Sequence, residues 1–116
     1  EILNGDSSLH EAALDEYIYF CLMQEGRILI GALESRLEKK TMKILNFIIA
    51  PRYQNCGFGS LFLAMLEKYA EENKYEKVSL IAGGQSKVFY EKNGYVSSYV
   101  WTCLWTIPNH TSKTIR

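Results

Sequence analysis

Charge of one sign is what this sequence lacks first: thirteen basic and thirteen acidic residues cancel over its 116 positions. Without a broad field of either sign, nothing draws the chain to nucleic acid or to an anionic membrane, and partners must be recognised locally. Long apolar runs are missing too. The stretch 44–50 has Asn46 inside it and falls far short of the roughly 20 residues needed to cross a bilayer. The first residues show no basic segment followed by an apolar run, so no secretory leader is read and a cytoplasmic location is expected.

Cysteine is scarce. Cys21, Cys56 and Cys103 are odd in number and widely spaced, with neither a CxxC pair nor a histidine at ligand spacing, which argues against a disulfide framework and a zinc site. Free thiols and no metal are expected, with Cys21 and Cys103 in the core. Cys56 falls in a loop where it could be a nucleophile, but no histidine stands near it in sequence, and an inert thiol is the favoured reading. The nucleotide loop GxxxxGK followed by Ser or Thr is absent, and GxGxxG fails at Phe62; these gaps argue against ATP and NAD.

What is present suits one domain over 1–116 that buries a core, with an apolar fraction of 47%. Residues 17–23 and 28–37 are two β-prone runs whose spacing, through Gln24 to Arg27, predicts an antiparallel hairpin. Glu34, Arg36 and Glu38 alternate with Leu33, Ser35 and Leu37, so one face of the second run should be wet. Residues 42–50 predict a central strand that Pro51 ends. Phe62, Met65, Leu66 and Tyr69 recur at helical spacing within 60–73, opposite Glu67, Lys68, Glu71 and Glu72. A strand over 77–82, a short helix over 86–93 stopped by Gly94, and a β-prone stretch over 95–107 follow. A helix-like piece is expected around 9–14, as a partial N-terminal element within 1–16, and a frayed tail over 108–116. The order implies a mixed sheet, antiparallel at first and made locally parallel by the helix that links the runs 42–50 and 77–82.

Strand, then Pro51-Arg52-Tyr53-Gln54-Asn55-Cys56-Gly57-Phe58-Gly59-Ser60, then helix is an arrangement that can hold an anion. A helix start carries unpaired amide donors and partial positive charge, and glycine lets a phosphate approach the backbone. A tight connection in which both glycines only permit the turn is the other reading of a bare GxG.

The run from Ile49 to Gly59 resembles the Gln/Arg-x-x-Gly-x-Gly/Ala motif of the GNAT superfamily of N-acetyltransferases, and Phe89-Tyr90-Glu91-Lys92-Asn93-Gly94-Tyr95 resembles its second signature. The two stand in the expected order, and the resemblance covers roughly 17–107. It implies an α/β (α+β) fold: a mixed, mostly antiparallel sheet with flanking helices, whose parallel central strands splay to admit the arm of acetyl-coenzyme A. It also implies that Phe47, Ile48 and Ile49 offer backbone groups to the pantetheine and the acetyl carbonyl, and that Asn55, Cys56, Gly57, Phe58, Gly59 and Ser60 hold the pyrophosphate. Gln54 takes the first motif position, contributing hydrogen bonds without charge. Tyr90 matches the tyrosine that protonates the departing thiolate.

Departures from the pattern are specific. Gly83 and Ser86 stand where many members hold asparagine and alanine, and 78–82 offers no carboxylate as general base. Glu34 and Glu38 are the nearest acids by strand position, with solvated surface as their other reading. Tyr99, Trp101 and Trp105 could line an acceptor pocket or pack against a helix, and packing is favoured. The short N-terminal region implies an acceptor pocket that a second chain could complete, as in a homodimer. The expected activity is acetyl transfer to a primary amine of a small molecule, peptide or protein, with acetyl-coenzyme A as cosubstrate and no metal. The alternative is a non-catalytic coenzyme-binding or protein-interaction module; acylation at Cys56 is a third reading.

Overall fold

A computed structural model describes residues 6–82, 85–97 and 102–106. The expectations for Gly83, Tyr99, Trp101 and the tail 108–116 lie outside the described residues, as does the side chain of Cys103.

Alternation of buried and wetter side chains builds the first strands. In β2 (Tyr17–Gln24), Ile18, Phe20 and Leu22 are buried, while Tyr17, Tyr19 and Cys21 point to the other face. Its neighbours are β1 (Ser7–Leu14) and β3 (Ile28–Glu38), both antiparallel. Then come β4 (Thr41–Ile49), a 3-10 turn (Pro51–Tyr53), α1 (Phe58–Glu72), β5 (Lys77–Ile81), α2 (Gln85–Lys92), β6 (Val96–Ser97) and β7 (Thr102–Thr106). The seven strands of the described residues form one sheet in the order β1-β2-β3-β4-β5-β7-β6. Only β4 and β5 pair in parallel among the described residues, across the connection made by α1.

The core lies on the face that carries α1. Phe58, Phe62, Leu63, Leu66 and Ala70 of that helix are buried against Ile18, Phe20, Leu33, Met42, Ile44 and Val78. The ring of Phe47 is met by Phe62 of α1 at 5.3 Å and by Phe89 and Tyr90 of α2 at 6.3 and 6.4 Å, so both helices sit on one face. Apolar transfer of a Phe or Leu side chain is worth about 1.5–3 kcal/mol each, which is why this layer, and not the wet face, sets the register.

Four expectations are corrected. Residues 9–14 form strand β1 and no helix, because their backbone completes a full antiparallel ladder, from Ser7 opposite Gln24 to Leu14 opposite Tyr17. The long helix begins at Phe58, not at residue 60. The stretch 95–107 contains two strands that pair antiparallel, Val96 opposite Leu104, so its side chains do not alternate along one strand. Cys21 is only half-buried, on the face opposite α1 and α2, whereas Cys56 packs beside the core.

Candidate active site

Two local features open the sheet. The parallel ladder between β4 and β5 starts at Thr41 opposite Lys77 and ends at Ile44 opposite Leu80, although β4 runs on to Ile49. At that point the β3–β4 register shifts: Glu34 faces Asn46 and Ser35 faces Ile44, leaving Leu45 as an extra residue. Such a bulge bends its strand and increases its twist, and it falls where the pairing with β5, whose last residue is Ile81, comes to its end. Ser35, buried on the sheet face, donates its hydroxyl to the Ile18 carbonyl at 2.9 Å, so the polar group next to the bulge is satisfied.

The strand end is braced. Gln54 donates its side-chain amide to the Ile49 carbonyl at 3.0 Å, and the Ala50 amide donates to Ile30 at 2.8 Å. Gln54 thus spends a donor on holding the β4 terminus in place. Arg52 lies over the Tyr53 ring, 5.6 Å from its centroid.

The loop that follows is shaped for an anion. Asn55 (φ 61°) and Gly57 (φ 87°) are both left-handed, an alternation that turns successive backbone N–H groups towards one concave side. Gly57 is the N-cap of α1 in that conformation; no side chain caps the helix and no acid stands in its first turn. The first amides of a helix have no intrahelical acceptor, so those of α1 are left for a ligand or for water.

A cavity of about 710 Å³ lies above this turn, lined by Phe47, Ile49, Tyr53, Gln54, Asn55, Gly57, Gly59, Ser60, Ser86, Phe89 and Tyr90. A second, of about 250 Å³, sits in the gap between β4 and β5 and is lined by Ile44 to Phe47, Leu80 to Ala82, Ser86 and Tyr90. Phe47, Ser86 and Tyr90 belong to both, so the two spaces meet at those side chains.

Most of the residues expected at the site are brought together there; three are placed elsewhere. Phe58 is fully buried beneath the loop and Ile48 is 62% exposed on the face opposite α1 and α2, so each could serve only through its backbone. Cys56 contacts the Gln54 carbonyl through Sγ at 3.4 Å and lines neither cavity. Tyr90 is buried, its ring against Phe89 and Tyr95 at 5.1 and 5.6 Å. Glu38 lies at the far end of β3 from the gap and pairs with Arg36 at 3.8 Å. Trp105 packs beside the core, its ring over Gly94. Tyr53, Ser86 and Phe89 also line the main cavity. Phe89 of the second signature is half-buried, and the signal for Ser86 was its place three residues before that signature, where many members hold alanine. Among the described residues no group of His, Cys, Asp and Glu could hold a metal, and no helix is long and apolar enough to cross a membrane.

The sequence pattern of the Acetyltransferase (GNAT) domain matches residues 2–101. The chain belongs to the GNAT acetyltransferase family. Solved structures share this fold. A chimera of the Vibrio cholerae spermidine N-acetyltransferase superposes with a TM-score of 0.75 at 17% identity, covering 85% of this chain and 72% of that one. The ribosomal-protein-S18-alanine N-acetyltransferase of Escherichia coli gives 0.73 at 17% identity, with 82% and 72% covered. A putative acyl-CoA N-acyltransferase of Klebsiella pneumoniae gives 0.71 at 14% identity, with 87% and 97% covered. No curated protein matches this GNAT chain by sequence.

Proposed function

We propose that this GNAT chain moves an acetyl group from acetyl-coenzyme A to a primary amine by direct attack, without a covalent acyl-enzyme. The observation that carries the reading is the break in the β4–β5 ladder, which joins the cavity over the α1 turn to the cavity within the sheet at Phe47, Ser86 and Tyr90. Acyl transfer needs two substrates to meet at one point from different directions, and a passage through a sheet supplies that geometry.

The residues present fit the coenzyme. Uncapped amides at the start of α1 suit a pyrophosphate, and Phe47 and Ile49 wall the space that an apolar arm would cross. Acetyl-coenzyme A supplies an acyl group activated as a thioester. A backbone N–H of the segment 47–49, held by the Gln54 brace, polarises the acyl carbonyl, the type of fixed donor that is worth about 3–4 kcal/mol in comparable sites. Tyr90, which lines both cavities, gives its proton to the leaving thiolate in this reading. The spermidine and alanine acetyltransferases that share the fold act on amines by name, which supports an amine acceptor, small or peptidic.

Calorimetry with acetyl-coenzyme A tests the first half, and absence of heat at near-millimolar ligand would remove it. Release of free thiol across a panel of polyamines, amino acids and peptide N-termini tests the second. Tyr90→Phe should lower kcat by about 100-fold or more while leaving coenzyme affinity nearly unchanged; equal turnover in the variant would take Tyr90 out of the reaction.

A further inference from the structure

Gly94 stands just past α2 in the left-handed region, with φ at 93°. Around it the chain closes a Schellman turn: the Tyr95 amide donates to the Tyr90 carbonyl at 3.0 Å, and the Gly94 amide donates to the Glu91 carbonyl at 3.2 Å. A turn of this kind brings the side chains of its first and last residues together. Here those are Tyr90 and Tyr95, whose rings meet edge to face at 5.6 Å and 67°. Tyr95 is 2% exposed and lines neither cavity of the site. Its hydroxyl reaches across to the carboxyl of Glu67 on α1 and partly offsets the effect of burial on that group. Glu67 lines neither cavity either.

We propose that Tyr95 is the positioning residue of Tyr90, and that Glu67 anchors Tyr95 from α1. The inference rests on the acyl-transfer reading and adds to it what holds the acid in place. A general acid must lie within hydrogen-bond reach of the atom it protonates, about 2.6–3.2 Å, yet α2 has only 8 residues, and a helix below about 12 residues is marginal by itself. Tyr95 supplies the missing restraint twice over. Its amide ties down the Tyr90 carbonyl, and its ring closes one side of the Tyr90 ring while Phe47 and Phe89 close others. Its hydroxyl in turn refers the end of α2 to α1. The helix whose first amides face the main cavity therefore also sets, through Glu67 and Tyr95, where the phenol of Tyr90 stands. Both ends of the coenzyme are measured from one element.

A double-mutant cycle read in thiol release tests this. Tyr95→Leu should lower kcat about tenfold and leave the KM for acetyl-coenzyme A within about twofold. In the Tyr90→Phe background the same substitution should cost nothing further, because a residue that acts through Tyr90 has nothing left to act through. Tyr95→Phe keeps the buried ring, which covers the case in which Tyr95→Leu does not fold; it should lose about threefold in kcat, as should Glu67→Ala. Glu67→Gln still offers an oxygen to the Tyr95 hydroxyl and should restore the parent rate. Equal losses in both Tyr90 backgrounds, or full kcat in both Tyr95→Phe and Glu67→Ala, would overturn the proposal. Carbon spectra of protein labelled at tyrosine Cζ separate it from the acyl-transfer reading. The Tyr90 resonance, assigned by its loss in Y90F, should move in Tyr95→Phe and Glu67→Ala and stay in place in Glu67→Gln. These shifts in a chain that releases no thiol would sink acyl transfer and leave Tyr95 as the brace of Tyr90. A Tyr90 resonance unmoved in every variant of a chain that turns over, and that Y90F slows, would sink the role of Tyr95 alone.

Discussion

Gly57 carries a backbone that other residues adopt only under strain, with φ at 87° where α1 begins. Placing Cβ there costs about 1–2 kcal/mol, and the loop can relieve it only by moving the amides that face the cavity. Gly57→Ala should therefore lower Tm by about 4 °C or more and weaken acetyl-coenzyme A several-fold in calorimetry; a lower Tm with unaltered affinity would mean that the turn is structural only. Glu67 makes a different point. Helical spacing puts it with Lys68 on the wet side, yet the fold half-buries it and leaves Oε2 without a hydrogen-bond partner. Burial raises its carboxyl to about 7, an effect that the Tyr95 hydroxyl partly offsets. Because the folded value exceeds the unfolded one, the folded chain binds the extra proton between about 4.5 and about 7, and stability falls as pH rises through that window. Glu67→Gln should melt higher than the parent at about pH 8 by roughly 1 kcal/mol, after allowance for the group's partial exposure, and this advantage should shrink at about pH 5. A gap that does not change with pH would exclude titration of Glu67 as its cause. Nothing in the spacing of α1 residues announces this, since Tyr95 reaches Glu67 only through the turn after α2.

Elements were legible in proportion to how strongly each buries one side. The alternation in 17–23 and the helical stripe through Phe62 and Leu66 are direct consequences of a single apolar layer, and both specify their structure without outside help. Strand β1 does not: its side chains are half-buried or exposed throughout, and Ala12, Ala13 and Leu14 suit a helix equally well. Its conformation comes from the β2 edge that it covers, where tertiary pairing overrides local preference. One side-chain tie adds to that pairing. Tyr69 of α1 donates to Glu11 Oε2 at 3.1 Å, and burial together with this carboxylate pushes the Tyr69 hydroxyl up to about 12. Tyr69→Phe should cost about 0.5–1 kcal/mol and speed amide exchange selectively in Ser7–Leu14, while β4 amides keep their protection. Uniform loss of protection would place the bond in the global core instead of at β1. On β3, a Cβ at Gly31 would lie 2.7 Å from the Ile48 carbonyl oxygen, so Gly31→Ala must displace the end of β4. It should lower both stability, by about 1–3 kcal/mol, and coenzyme affinity.

At the scale of the molecule, the crossover was readable, because a helix between two apolar β-prone runs dictates parallel pairing. Composition and spacing do not state where that pairing ends. The extra residue at Leu45 and the last rung at Ile44 and Leu80 are matters of register; the splay was an expectation from family resemblance alone. The gap has one testable consequence for the whole architecture. Ser86 belongs to both cavities and stands exposed in the first turn of α2, so a large side chain there can fill the passage without entering the packed core. Ser86→Trp should leave the pyrophosphate turn intact and block the way through the sheet. Binding of adenosine 3′,5′-bisphosphate, which carries phosphates but no arm, would then stay within about twofold of the parent, whereas acetyl-coenzyme A should bind at least tenfold more weakly, roughly the 1.4 kcal/mol of a lost apolar contact. Equal weakening of both ligands would show that the substitution disturbs α1 and α2 together, and equal binding of both would mean that the arm does not pass between β4 and β5.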